Sequence, residues 1–160
     1  MGQAGGTGFR PAKIVTGGQT GVDRAALDAA IALGIPHGGW CPKGRLADDG
    51  TIPPHYRLTE TESPDYAVRT ERNVRDSDGT LILCRGSPTG GTELTLRLAE
   101  RWEKPHLVVD PDRPPDLDAA RRWLAENRPA VLNVAGPRES QSRGIAAGSE
   151  AFLRRLFTPE

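Results

Sequence analysis

The sequence predicts an α/β fold: a Rossmann-like, doubly wound, mainly parallel sheet with helices on both faces. Three observations carry this expectation. From residue 13 onward, short apolar runs alternate with stretches of helical period, the pattern of a parallel sheet covered by helices. Gly-rich turns stand at the strand-to-helix junctions 17–21 and 86–91. A length of 160 residues suits one ordinary domain, which buries roughly two-thirds of its unfolded surface and needs no staple.

Residues 1–12 are Gly-rich and polar and read as a disordered leader, which leaves 13–160 as the single domain. Lys13-Ile14-Val15-Thr16 reads as a short buried strand. Residues 22–33 carry Val22, Ala25, Ala26, Leu27, Ala29, Ala30, Ile31 and Leu33, a helix with one apolar face, and Gly34 ends that helix as a C-cap glycine. The Gly-, Pro- and charge-rich stretch 38–54 reads as a long loop, and long loops in compact domains are often functional. Leu58-Thr59-Glu60 suits a short strand, 65–76 an Arg-rich helix, and Thr80-Leu81-Ile82-Leu83-Cys84 the clearest buried strand. An amphipathic helix over 92–102, a strand over 106–109, a helix over 116–127 and a strand over 130–134 follow. After the turn at Gly136-Pro137, residues 144–157 form the last helix. Right-handed crossovers then bring every strand-to-helix loop to one edge of the sheet, where such folds bind their ligands.

Composition narrows the function classes. Lys plus Arg and Asp plus Glu number 21 each, and the pI is about 6.8. No global field draws the chain to nucleic acid or to an anionic membrane. No signal peptide and no run of transmembrane length is visible, so a cytoplasmic location is expected. Cys41 and Cys84 belong to no C-x-x-C pair, so they read as buried structural thiols and no metal site is expected. His37, His55 and His106 are scattered, and no Ser-His-Asp or Cys-His arrangement is legible.

Three strand-end loops carry the candidate chemistry. The first is Gly17-Gly18-Gln19-Thr20-Gly21-Val22-Asp23-Arg24, in which Gln, Thr, Asp and Arg beside glycines exceed what a turn requires. Glycines let backbone approach a ligand, and helix-start N–H groups attract phosphate. A plain tight turn would need only the glycines. The loop is neither the dinucleotide G-x-G-x-x-G nor a Walker motif. The second runs from Gly86 through Ser87, Thr89, Gly90, Gly91 and Thr92 to Glu93, directly after the strongest strand. It offers hydroxyls and open backbone to an anion, although one hydroxyl could simply cap the helix. The third, after the last strand, contributes Gly136 and Arg138. Lys43 and Arg45 place two cations in the 38–54 loop. Arg69 and Arg72, three apart and so on one face of the 65–76 helix, stand with Asn73 just before the main strand. A solvated surface stripe is the simpler explanation of those arginines, but the helix start faces the ligand edge.

Four runs in order resemble the molybdenum carrier protein family across residues 13–157. They are Gly17-Gly18-Gln19-Thr20-Gly21-Val22-Asp23-Arg24, Trp40-Cys41-Pro42-Lys43-Gly44-Arg45 with Asp49-Gly50 behind it, Gly86-Ser87-Pro88-Thr89-Gly90-Gly91-Thr92, and Asn133-Val134-Ala135-Gly136-Pro137-Arg138-Glu139-Ser140. The resemblance implies a Rossmann-like fold, a homo-oligomer (a dimer or tetramer) and binding of the molybdenum cofactor, a pterin carrying a phosphate and a molybdenum dithiolene. More distantly the chain is similar to the lysine-decarboxylase-like LOG enzymes of the SLOG group. Those enzymes cleave nucleoside monophosphates to free base and ribose phosphate. They use an Arg on the helix before the main strand and a Glu within P-G-G-x-G-T-x-x-E.

On that pattern Arg69 or Arg72 fills the first role. The second departs, because Thr95 stands three residues after Thr92 and Glu93 follows it directly. One residue turns a helix by about 100°, so Glu93 need not point at a ribose. The departure favours a non-catalytic carrier of a phosphate-bearing, nucleotide-like small molecule, with no catalytic residue. The alternative is a LOG-like N-glycosidase with Glu93 as acid/base and Arg69 and Arg72 on the phosphate. A third reading is a nucleotide-sensing module that acts through a separate partner.

Overall fold

The structure, a computed structural model, describes residues 9–158. In chain order the elements are β1 (Lys13–Val15), α1 (Val22–Leu33), β2 (His37–Gly38), β3 (Trp40–Cys41), β4 (Leu46–Ala47), β5 (Gly50–Thr51), β6 (Thr59–Glu60), α2 (Tyr66–Arg75), β7 (Gly79–Leu83), α3 (Gly90–Arg101), β8 (His106–Val109), α4 (Pro114–Asn127), β9 (Val131–Ala135) and α5 (Ile145–Leu156). The leader expected over 1–12 lies outside the described residues as far as residue 8. Residues 9–12 lie against the domain: Phe9 packs on the core, and Arg10 donates to the carbonyls of Leu33 and Phe157.

Five strands form an all-parallel sheet in the order β2-β1-β9-β7-β8. The chain leaves β1 toward one edge and β7 toward the other, and the last strand, β9, closes the gap between them. β7 is buried along its whole length, as a parallel strand covered on both faces must be. On one face α1, α4 and α5 pack together and against the strands. There Ile14, Leu81, Leu83, Leu132 and Val134 meet Val22, Ala26 and Ala30 of α1 and Phe152, Leu153 and Leu156 of α5. Ile31, expected on the same apolar face of α1, is exposed instead, while Leu33 is partly buried against the core. On the other face α2 packs on α3 around Val74, Leu98 and Ala99.

The stretch 38–54, expected to be a loop, holds short pieces of sheet. β2 extends the main sheet from within a residue of its start, β3 pairs with β6, and β4 pairs with β5 as a hairpin. The hairpin covers a small satellite core of Leu27, Cys41, Ile52 and Tyr56. α3 starts two residues before the expected 92, and α4 starts two before 116, at Pro114-Pro115. A proline in the first turn sacrifices only an N–H that has no helical partner there. Among the described residues no helix is long and apolar enough to cross a membrane.

Candidate ligand-binding site

A cavity of about 230 Å³ opens at the C-terminal ends of β1, β9 and β7, where the chain directions diverge. Gln19 and Asp23 line it from the β1–α1 turn, Tyr66, Arg69 and Thr70 from α2, Gly91, Thr92 and Thr95 from α3, and Gly136 and Arg138 from the segment after β9. A smaller lobe of about 100 Å³, bordered by Ser87 and Thr89, shares Thr92 and Gln141 with it. Together they reach the lower end of the range of small-molecule sites, about 300–1,000 Å³.

The β1–α1 turn is held from within. Gly18 N–H donates to Thr16 Oγ1, Gln19 N–H to Asp23 Oδ2 at 3.1 Å, and Thr20 N–H to Gln19 Oε1 at 2.9 Å. The start of α1 is met by Pro137, whose carbonyl accepts from Val22 N–H at 3.2 Å. The glycines here are architectural. A Cβ on Gly21 would strike the backbone of Pro137 and Arg138, and one on Gly17 would lie 2.6 Å from Arg69 Nε. One on Gly136 would overlap the Leu83 carbonyl and Val22. The turn therefore presents side chains to the cavity, chiefly Gln19 and Asp23, more than free N–H groups.

The α3 start is the opposite case. Its N-cap, Thr89, makes no side-chain capping bond. Only the Thr89 carbonyl is engaged, by Thr92 and Glu93 N–H. A Cβ at Gly90 or Gly91 would meet nothing within 4 Å. These glycines border open space, and the first-turn N–H groups of an uncapped helix are ready donors for an anion.

Arg69 reaches across from α2. Its Nε is buried without an acceptor. Its one hydrogen bond to protein runs from Nη1 to Thr70 Oγ1, and its guanidinium lies 5.1 Å from the centroid of Tyr66. Burial pulls its pKa below the ordinary arginine value, and the charge of Asp23 pulls it back. Asp23 is 5% exposed, and its pKa is pushed up to about 6. Burial raises it, while Arg69 and the N–H groups of Gln19 and Gly17 hold it down.

The other expected site residues divide. Arg138 borders the cavity but is engaged, pairing with Asp48 at 2.6 Å and lying 5.5 Å from the Tyr66 centroid. Arg24 pairs with Asp49 through two bonds of 2.9 Å and caps the Gly18 carbonyl. Arg45 spends its guanidinium on the carbonyls of Ile52, Pro53 and Tyr56, and Lys43 is exposed. Both thus stay outside the cavity. Arg72 does not share the cavity with Arg69. Glu62 draws it away at 2.6 Å, and it stacks on Trp40. Asn73 is buried and bridges the N–H and carbonyl of Trp40. Glu93 pairs with Arg97 on the outer side of α3 at 2.8 Å and does not line the cavity. Lining residues that the motifs did not single out include Tyr66, Thr70, Leu94, Thr95 and Gln141, and Asp23, though within the first motif, is not among the expected binding residues.

Cys41 and Cys84 are buried and free, Cys41 in the satellite core and Cys84 donating toward the Gly86 carbonyl. Among the described residues no group of His, Cys, Asp and Glu is placed to hold a metal ion.

Comparison with known proteins gives two matches. The model of the circularly permutated YpsA SLOG family matches residues 14–157. A crystal structure of a "Putative molybdenum carrier protein" from Syntrophus aciditrophicus SB is 48% identical, with a TM-score of 0.87, and the match covers 92% of this chain and 94% of that one. Among curated proteins none matches.

Proposed function

We propose a function from the premise that this chain belongs to the circularly permutated YpsA SLOG family: it is a non-catalytic binding or carrier protein that holds a small molecule by its phosphate group, with the molybdenum cofactor as that ligand. The observation that carries the reading is Arg69, a half-buried cation whose buried Nε has no acceptor and which makes no hydrogen bond to an anion among the described residues, on the wall of a cavity that the uncapped start of α3 also lines. A buried donor without an acceptor costs about 1–3 kcal/mol, and a phosphate between Arg69 and the N–H groups of Gly90 and Gly91 would offset that cost. The ligand's identity rests on the resemblance of the four sequence runs to the molybdenum carrier protein family, and the Syntrophus protein's name supports a molybdenum-bearing cargo. A molecule that chelates molybdenum through its own dithiolene needs no metal ligands from the protein, which suits a cavity of arginine, hydroxyls and backbone.

The hydrolase reading of the sequence rests on Glu93 as the acid/base; the carboxyl that does line the cavity, Asp23, is tied to the N–H of Gln19 in the β1–α1 turn. Glu93 is turned outward onto Arg97, which favours the carrier. In the test, wild type and Glu93→Gln are incubated with nucleoside monophosphates while free base is followed, and inorganic phosphate is titrated calorimetrically. We expect no base release and equal phosphate affinity. Base release that depends on Glu93 would replace the carrier by the hydrolase.

Gly91 separates ligand from fold. Its backbone is not left-handed and its Cβ position is empty. Gly91→Ala should leave the fold intact and raise its stability by up to about 1 kcal/mol, through helix propensity. Gly91→Leu should keep the fold but fill the ligand's approach, with phosphate affinity falling about tenfold or more. Thermal unfolding and calorimetry on the same samples read both effects. Unchanged affinity in the Leu variant would move the phosphate elsewhere.

A further inference from the structure

Gln19 is 5% exposed and borders the cavity. Its amide cannot be turned over. Oε1 accepts from Thr20 N–H at 2.9 Å and from Asp48 N–H at 2.8 Å, so the nitrogen occupies the other position. That nitrogen, Nε2, is buried with no acceptor. An unmet buried donor costs about 1–3 kcal/mol, and the fold gains nothing visible in return. A glutamate at this position would accept the same two N–H bonds, so the framework alone does not call for an amide. What glutamine adds is an N–H donor and neutrality at the cavity wall. Arg69 lies beside the same turn, since its Nε and Cδ crowd the Cβ position of Gly17, two residues before Gln19. The only buried side-chain donors left unmet among the described residues, apart from the hydroxyl of Ser149 on α5, are thus Arg69 Nε and Gln19 Nε2, and both belong to residues lining one cavity.

We infer that Gln19 is a ligand-binding residue that, together with Arg69, donates to one oxyanion group of the ligand, and that it is an amide rather than a carboxylate because it must donate to an anion. The inference rests on the binding reading above and adds a residue and a charge rule to it. Asp48, on the β4–β5 hairpin, becomes a positioning residue: its N–H locks the amide, and its carboxylate accepts from Arg138 and Ser140.

The test is a titration of inorganic phosphate, and separately sulfate, into isotope-labelled protein followed by NMR. The Gln19 side-chain NH2 and Arg69 Nε–H signals should shift with the same Kd as the Gly90 and Gly91 amides. Gln19→Met, which removes the donor, should raise that Kd about tenfold. Gln19→Glu, which keeps the framework bonds but adds a negative charge, should raise it further than Met does. The backbone amide spectrum checks that both variants are folded. Should phosphate shift the α3 amides while the Gln19 side chain stays still, or should both variants keep wild-type affinity, the inference falls and the binding reading stands. Should neither anion bind the wild type, both fall.

Discussion

Replacing Asp23 by Asn is expected to stabilise the protein at pH 7.5 by up to about 3 kcal/mol and to abolish most of its stability change between pH 4 and 6. The carboxyl is buried, and its pKa stands at about 6 against an ordinary 3.8. Below 3.8 both folded and unfolded chains hold the proton, and the group contributes nothing. Between 3.8 and 6 the unfolded chain releases the proton while the folded chain keeps it, so stability falls as pH rises. Above 6 the folded chain carries the full cost of a buried carboxylate. Asparagine retains an acceptor for Gln19 N–H and removes that cost. The groups that face the carboxyl are Arg69 from α2, Arg24 from α1 and the N–H groups of Gln19 and Gly17. Because an anion entering beside Arg69 competes with Asp23, the Asn variant should also bind phosphate more tightly near neutral pH. Unfolding curves from pH 3.5 to 8 check the first part. A wild-type stability that stays flat from pH 4 to 6 would place the carboxyl in solvent.

The second large effect is on Arg69. Losing its charge-assisted bonds to a phosphate costs about 1.5–3 kcal/mol, so Arg69→Met should weaken phosphate binding about ten- to a hundredfold. Arg72→Met should change it little, because Arg72 is committed to Glu62 and Trp40. Arg69→Lys should recover part of the loss, since it restores the charge but not the fork of donors. The Met variant should also move the titration of Asp23 above 6, because Arg69 is the largest influence holding that pKa down. Calorimetry and an NMR pH titration of Asp23 read both effects. Equal losses in the Arg69 and Arg72 variants would mean that charge acts at a distance and that the geometry of Arg69 is immaterial.

These two residues also mark the limit of what the sequence discloses. The alternation of strands and helices, the Gly34 cap and the edge on which the loops gather follow from local periodicity and from the handedness of crossovers. β2 did not emerge because a two-residue strand between Pro36 and Gly39 has no period to read; its identity comes from pairing with β1. Arg69 and Arg72 look equivalent at a spacing of three. Glu62 and Trp40, brought in by the preceding loop and by β3, pull one outward, while Tyr66 and the bare backbone of Gly17 leave a slot for the other. The glycines divide in the same manner. Gly21 and Gly136 avoid backbone that arrives from far along the chain, whereas a Cβ on Gly90 or Gly91 would meet none of the described residues within 4 Å. Spacing alone shows them as one kind of motif. The outward turn of Glu93 is the converse case: its offset of two residues from the hydrolase pattern was legible, and Arg97 one turn further on is what receives it.

The most direct test of the central claim is mass spectrometry of the small molecules released on denaturing the protein, after purification from cells that make molybdenum cofactor. Wild type and Arg69→Met are compared at equal protein. The account predicts a phosphorylated pterin in the wild type, and about a tenth of it or less in the variant. A wild-type protein that releases no phosphate-bearing molecule, or an Arg69→Met protein that carries the same load, would contradict it.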